Sequence, residues 1–346
     1  ESIGGYAFQG LTKITDISLP EGIKSIGESA FEGCYSLSTI SLPTGLKEIG
    51  EKAFMSCFDL FQIDIPSSVE VIGRSAFLGC ESITNLFIPD SVNEIGDSAF
   101  ALCYSLKNIK LPTALKTLES FSFDGCEDLE YVVLPYGLET INPYAFHDCK
   151  SLRAVPLPTS LRKIEIGAFE GCSGLERFSF PSGITVISNA ALKDCTNVKS
   201  IAIPAGVTKV LSEAAAGCTS LTDVYYYGSE ESWEKVKLSQ TDDSNQLLLN
   251  ANINFMEPLY IMVQPEDIVS PAGKEAVFHV KASGTNLEYQ WGYSLDSGAT
   301  WYVLDGAINN TLVIDVLENS DGVLFRCFVS DASGFGFFSR IAVLNV

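Results

Sequence analysis

Histidine is nearly missing from this sequence: His147 and His279 are the only two in 346 residues. A Ser-His-Asp or Cys-His site needs an imidazole base oriented by a third group, and the sequence offers neither histidine such a group. There is no P-loop, no G-x-G-x-x-G following a strand and no H-E-x-x-H pair, the marks of phosphate, dinucleotide and zinc-peptidase sites. No C-x-x-C pair occurs, and a column of single cysteines is a poor tetrahedral cage, so zinc is not expected. No other cofactor is expected, and neither is an enzyme. No run of 18 apolar residues is present, which leaves no candidate for a membrane-spanning helix. Basic residues are the minority, with 22 Lys and Arg against 43 Asp and Glu and a net charge of −21. That balance argues against nucleic-acid backbones and anionic membranes as partners. Its plainest reading is a solvated acidic surface.

What the sequence has in abundance is repetition. Pro20, Pro43, Pro66, Pro89, Pro112, Pro135, Pro158, Pro181 and Pro204 follow one another at intervals of 23 residues, and so do nine cysteines from Cys34 to Cys218. Phenylalanine keeps the same interval from Phe8 to Phe169. A fixed period of this length marks a solenoid and outranks any local propensity. Within a repeat, Ile40 and Leu42 have the i, i+2 spacing of a strand, with Thr39 and Ser41 turned the other way. The proline that follows ends the strand, because it has no N–H to give to a ladder. Gly27, Gly50, Gly73 and Gly96 mark a turn. Later copies place Glu119, Asn142, Glu165 and Ser188 there, so a left-handed backbone is not required at that position. One repeat cannot fold alone: about seven apolar side chains at roughly 1.5–3 kcal/mol each do not offset a backbone entropy of about 1–2 kcal/mol per residue. Stacked rungs bury both flanks and close the deficit. Ten rungs spaced at about 4.8 Å predict a slab with one continuous parallel sheet on a face.

The pattern C-x-x-L-x-x-I-x-L-P…L-x-x-I-G-x-x-A-F resembles the BspA-like leucine-rich repeats of surface proteins from anaerobic and gut bacteria. It differs from the general leucine-rich consensus in placing the cysteine before the strand. The resemblance covers residues 1–226, in nine good copies and one degenerate copy. It implies a right-handed, leucine-rich repeat solenoid that is secreted or held at the cell surface and takes part in adhesion. The chain opens in mid-repeat at Glu1-Ser2-Ile3-Gly4, with no secretion signal in view, as expected of a fragment or mature segment. Toward the end Leu192 and Ala215 replace the phenylalanine, as terminal repeats often do.

Residues 227–256 are expected to cap the array. Ser229 is a candidate helix N-cap, with Glu230 and Glu231 at the positive helix end and Trp233 placed to cover the last rung. Thr241 to Asn245 is expected to be a polar loop, and Leu247 to Phe255 further apolar cover. From residue 257 to 346 the period is gone, and about seven short alternating segments predict an antiparallel sandwich. Tyr289-Gln290-Trp291 and Asp321-Gly322-Val323-Leu324-Phe325-Arg326-Cys327 make this segment similar to a bacterial immunoglobulin-like domain. The first cysteine of such a domain is replaced by Val280, and Phe325 stands where a tyrosine corner needs a hydroxyl.

The ten cysteines therefore form no obvious disulfide framework. Nine occupy one point of each rung, where small buried free thiols are the better fit. The outward residues of the main sheet form two columns. One runs Asp16, Thr39, Gln62, Asn85, Asn108, Tyr131, Ala154, Arg177, Ser200, Asp223; the other runs Ser18, Ser41, Asp64, Phe87, Lys110, Val133, Pro156, Ser179, Ala202, Tyr225. Phe87, Tyr131 and Val133 stand out, because neighbouring copies do without such bulk. With Asn85, Asn108 and Lys110 they predict an apolar patch with a polar rim, the form of a contact with an extracellular protein or glycan. The rings that follow the cysteine, Tyr35, Phe58 and Tyr104, are expected to be partly buried at the bend into the strand. His147 falls in a variable slot and is expected to be exposed and unspecialised, and His279 to point outward from a sandwich strand.

Overall fold

A computed structural model describes residues 1–239, 245–298 and 300–346. Residues 241–244 of the expected polar loop lie outside the described residues. Asn245 itself is buried, and its amide donates to the Leu211 carbonyl at 2.9 Å.

Three ladders hold the rungs of a solenoid of about ten turns. The main one is built from the I-x-L positions: Asp16–Ser18, Thr39–Ser41, Gln62–Ile63, Asn85–Phe87, Asn108–Lys110 and Tyr131–Val133 run parallel at one 23-residue offset. A second ladder uses the residues before the repeat glycine, among them Ser25–Ile26, Glu48–Ile49, Val71–Ile72 and Glu94–Ile95. These strands are two residues long, too short for an alternation to register in the sequence, which points only to a turn there. On the third side the amide of Phe31 donates to Ala53 O, Phe54 to Ala76 O and Phe77 to Ala99 O, each at 2.8 Å.

The main ladder is not the single continuous sheet expected. It falls into parallel sheets of three, three and four strands. The second break is at Pro156, which occupies an outward strand position and has no N–H. Only the bridge between Tyr131 and Ala154 spans that rung.

The turn glycines follow the expectation that φ need not be positive. They are required for another reason. A Cβ on Gly50 would lie 2.6 Å from the Ile26 carbonyl oxygen, and one on Gly96 would lie 2.5 Å from the Arg74 nitrogen. The rungs approach too closely there for a side chain directed at the neighbour. Two residues further on, Ser29, Lys52, Ser75 and Ser98 take the left-handed conformation, at φ of 52 to 56°.

The interior follows from the columns. The phenylalanines from Phe8 to Phe169 stack face to face, with ring centroids 5.0–5.6 Å apart and planes within 13° of parallel. Where the column gives way to Leu192, bulk returns from the strand. Phe178 packs edge-on to Phe169 at 4.9 Å and to Phe180 at 4.9 Å. Conserved interior volume is thus reached by shifting the large residue from one column to another.

All nine repeat cysteines are buried and free, as is Cys327. Each repeat thiol donates to the phenylalanine-column carbonyl 26 residues earlier, as in Cys57 Sγ to Phe31 O at 3.2 Å and Cys126 Sγ to Phe100 O at 3.1 Å. Cysteine suits the site because it is small and apolar and still supplies one donor to a buried carbonyl.

The expected cap continues the ladders. A short helix, Glu230–Trp233, begins at Ser229, whose side chain accepts from the Ser232 amide at 3.2 Å. Trp233 packs on Tyr226 at 5.0 Å, at the end of the solenoid core. Beyond it Lys237–Leu238 pairs with Lys209–Val210, and Asn252–Phe255 pairs with Asp223–Tyr227.

The C-terminal β-domain is built mainly of antiparallel pairs. Glu288–Ser294 pairs with Leu324–Ser330, and Glu275–His279 with Thr311–Asp315. Trp291 lies opposite Cys327 in the ladder. Both share an apolar cluster with Val280, Phe278 and Phe325. The indole N–H donates to Asn309 O at 2.8 Å. His279 is exposed, as expected, and lies 3.0 Å from the Thr311 hydroxyl.

Candidate functional site

Strand pairing brings all six candidate residues together. Asn108 lies between Asn85 and Tyr131, and Lys110 between Phe87 and Val133, on three adjacent parallel strands. Leu86, Ile109 and Val132 between them are buried, so alternation turns both columns away from the core. Phe87 is 56% exposed and Tyr131 50%. Asn85 and Asn108 are exposed as well, whereas Val133 is half-buried.

Lys110 differs from its neighbours. Its side chain is only 11% exposed. The ammonium donates to Ser297 O of the C-terminal domain at 2.6 Å and to Asp90 Oδ2 at 3.3 Å. The C-terminal domain folds back over the main sheet, and Lys110 marks one point of contact.

The main contact lies further along the solenoid. Arg177 donates through Nη2 to Ser333 O and sets its guanidinium 4.5 Å from the Phe335 ring centroid. Tyr225 meets the same ring edge-on at 5.5 Å. The Tyr227 hydroxyl donates to Asp331 Oδ2 at 2.9 Å in a buried contact, and Asp331 also accepts from the Ser333 amide at 2.9 Å. Burial, with the Asp331 carboxylate beside it, pushes the Tyr227 phenol well up. Ala202, an outward position of the sheet, is fully covered and belongs to the apolar cluster of the C-terminal domain. The far end of both outward columns is therefore an internal interface.

Around the Lys110 contact, on the rungs before the main one, lies a cleft of about 960 Å³. All six candidate residues line its floor, and Thr300, Trp301 and Arg326 of the C-terminal domain form the opposite wall. Phe61 and Asp64 line it too. Sequence reasoning missed Phe61, Trp301 and Arg326. Phe61 sits one position before the outward column, among residues with no common character. Trp301 and Arg326 join the site through a fold-back that leaves no periodic mark. Arg326 is held between two rings, 4.0 Å from the Trp301 centroid and 3.9 Å from that of Phe338. Burial lowers its pKa to about 10, so it remains charged at neutral pH.

The other residues singled out by the sequence lie apart from this cleft. Tyr35, Phe58 and Tyr104 keep 46, 36 and 37% of their surface exposed, and Tyr35 and Phe58 cover one another by stacking, at 4.9 Å. His147 is half-buried and has a partner after all. Its Nδ1 lies 2.7 Å from Asp124 Oδ1, one rung away, and its ring meets Tyr144 edge-on at 5.8 Å. The hydrogen bond to Asp124 raises the imidazole pKa. The pairing escaped notice because partners 23 residues apart become neighbours only after stacking. Among the described residues no cluster of three or more His, Cys, Asp or Glu is placed to hold a metal ion, and no helix is long and apolar enough to cross a membrane.

The sequence matches the family model described as "BspA type Leucine rich repeat region", in 6 copies over residues 1–130 and 116–241. A leucine-rich repeat protein from Bacteroides ovatus is similar in structure, with a TM-score of 0.62 and 30% identity over 79% of this chain and 70% of that one. The leucine-rich repeat protein of T. pallidum is 37% identical over 44% of this chain and 71% of that one, with a TM-score of 0.42. A leucine-rich cell surface protein from Faecalibacterium prausnitzii is 25% identical over 68% of this chain and 85% of that one, with a TM-score of 0.38. No curated protein matches. The repeat model spans well over half of the chain, and the B. ovatus protein follows its fold along most of its length: this chain belongs to the bacterial leucine-rich repeat proteins of BspA type.

Proposed function

We propose that this is an extracellular, non-enzymatic binding protein that engages a protein of its surroundings, such as a host or bacterial surface component, through the part of the sheet its C-terminal domain leaves open. The observation that carries the reading is the exposed pair Phe87 and Tyr131, on the rungs either side of Asn108–Lys110, flanked by Asn85 and Asn108 and roofed in part by Trp301. Exposed rings amid polar groups are a surface ready to be covered. Solenoids of this kind are scaffolds that display extended faces, and membership in the repeat family supports a role in protein interaction. The acidic balance, at −21, disfavours nucleic acid. A glycan is the second reading, favoured by the same rings, which can stack on sugars as well as on side chains.

In this account the C-terminal β-domain is an immunoglobulin-like spacer. The packing of Trp291, Cys327 and Val280 into one cluster supports that assignment. The test is binding of the whole chain to a panel of extracellular matrix proteins and glycans, beside a Phe87→Ala/Tyr131→Ala variant. Each ring is expected to contribute about 1–2 kcal/mol, so the variant should lose at least tenfold in affinity. A partner whose affinity does not change would move the contact off this face.

A further inference from the structure

The cleft contains one group that the contact surface described so far does not use. Arg326 is half-buried, both faces of its guanidinium are covered by Trp301 and Phe338, and only its N–H edge remains open. Among the described residues nothing accepts a hydrogen bond from that edge and no carboxylate pairs with it. An open guanidinium edge that pairs with no carboxylate of its own matches an incoming one bidentately. Across the cleft stand Phe61, Phe87 and Tyr131 with the amides Gln62, Asn85 and Asn108. Rings that accept the C–H face of a pyranose, beside planar amides that reach its neighbouring hydroxyls, make a floor suited to sugars.

We propose that this cleft binds an oligosaccharide bearing a carboxylate sugar, a sialic or uronic acid, with Arg326 as the receptor of the carboxylate and Phe87 and Tyr131 as platforms for the rings. The proposal rests on the reading of this face as a binding face, takes the glycan of its two ligand readings and names the sugar class. Two observations restrict the ligand further. Lys110 is already engaged by Asp90 and Ser297, and Asp64 adds a negative group to the lining. With the net charge of −21, this leaves room for one carboxylate in an otherwise neutral sugar and opposes a polyanion. An extended peptide is the competing occupant, because the floor sheet ends at Asn85–Phe87 and at Tyr131–Val133, and the titration includes one.

The experiment is calorimetric titration of the whole chain with sialyllactose and with cellobiouronic acid, each bearing one carboxylate, and with lactose, which shares the neutral core of the first. At least one acidic sugar should bind tenfold or more tighter than lactose. Arg326→Gln should abolish that preference, and Arg326→Lys should restore part of it. Phe87→Ala should weaken all sugars alike. The preference of the unaltered protein is itself a test that requires no variant to fold. Equal affinity for lactose and both acidic sugars would overturn the proposal. So would an acidic hexapeptide that binds tighter than either acidic sugar and depends on Arg326. If no sugar binds while a protein partner still needs Phe87 and Tyr131, the sugar class is wrong and the binding face stands.

Discussion

Phe100→Ala should cost about 3–5 kcal/mol, the range for removing a large ring from a packed core. Phe100 has no exposed surface and is stacked between Phe77 and Phe123, with both centroids 5.6 Å away. A cavity there cannot refill, because the rings on either side are held by their own rungs and by the amide ladder. Each rung contacts only its neighbours, so the loss is local before it is global. Denaturant titration should show a lower midpoint for the solenoid, and hydrogen exchange should first quicken in the rungs flanking Phe100. A loss below about 1 kcal/mol would mean that the rings do not form a tight column. His147→Gln is the matched control at a half-buried position outside the core of the same array. The raised imidazole pKa makes its contribution fully present below the unfolded value and lost as pH rises through the folded one. The control should therefore cost little at pH 6 and less at pH 9; a larger effect at pH 9 would contradict the pairing with Asp124.

The second large effect concerns the thiols. Burial pushes the Cys103 pKa up to about 12, against an ordinary value of 9.0, and the interior members of the column are raised likewise. Only the thiolate reacts, so at pH 8 the reactive fraction of Cys103 falls about a thousandfold before access is considered. Access lowers it again, since the nine repeat cysteines are essentially without exposed surface. Thiol reagent should leave all nine unmodified over a time in which the unfolded chain reacts completely. Cys34, nearest the open end of the stack, should be the first to yield. Rapid labelling of several interior members in the native state would contradict a column in which each thiol donates to a carbonyl of the neighbouring rung.

Much of this architecture could be read from the chain because a solenoid writes each contact many times. Phe31, Cys34 and Pro43 name their roles by recurring, and Phe87 and Tyr131 declare themselves by departing from columns that are otherwise small or polar. The second ladder could not be read, since pairs such as Ser25–Ile26 are too short to show a period. Pro156 stood in plain view in an outward column, yet only the assembled sheet shows that it splits the ladder. The larger gap was the fold-back. Arg177 and Tyr225 look like variable surface positions, and their partners Ser333 and Phe335 lie more than a hundred residues further on, in a domain with no repeat to set register. A cluster of bulky and charged outliers at the end of both columns was the one signal of a covered face. Arg326 and Trp301 enter the cleft only through that docking.

The solenoid sheet and the C-terminal domain are proposed to grip one ligand between them. The most direct test is a double-mutant cycle on affinity for whichever partner the panel identifies, pairing Phe87→Ala on the sheet with Trp301→Ala on the opposite wall. A ligand gripped from both sides couples the two, and the expected interaction energy is about 0.5–3 kcal/mol. Additivity within about 0.3 kcal/mol, with Trp301→Ala alone without effect, would contradict it and leave the sheet acting by itself.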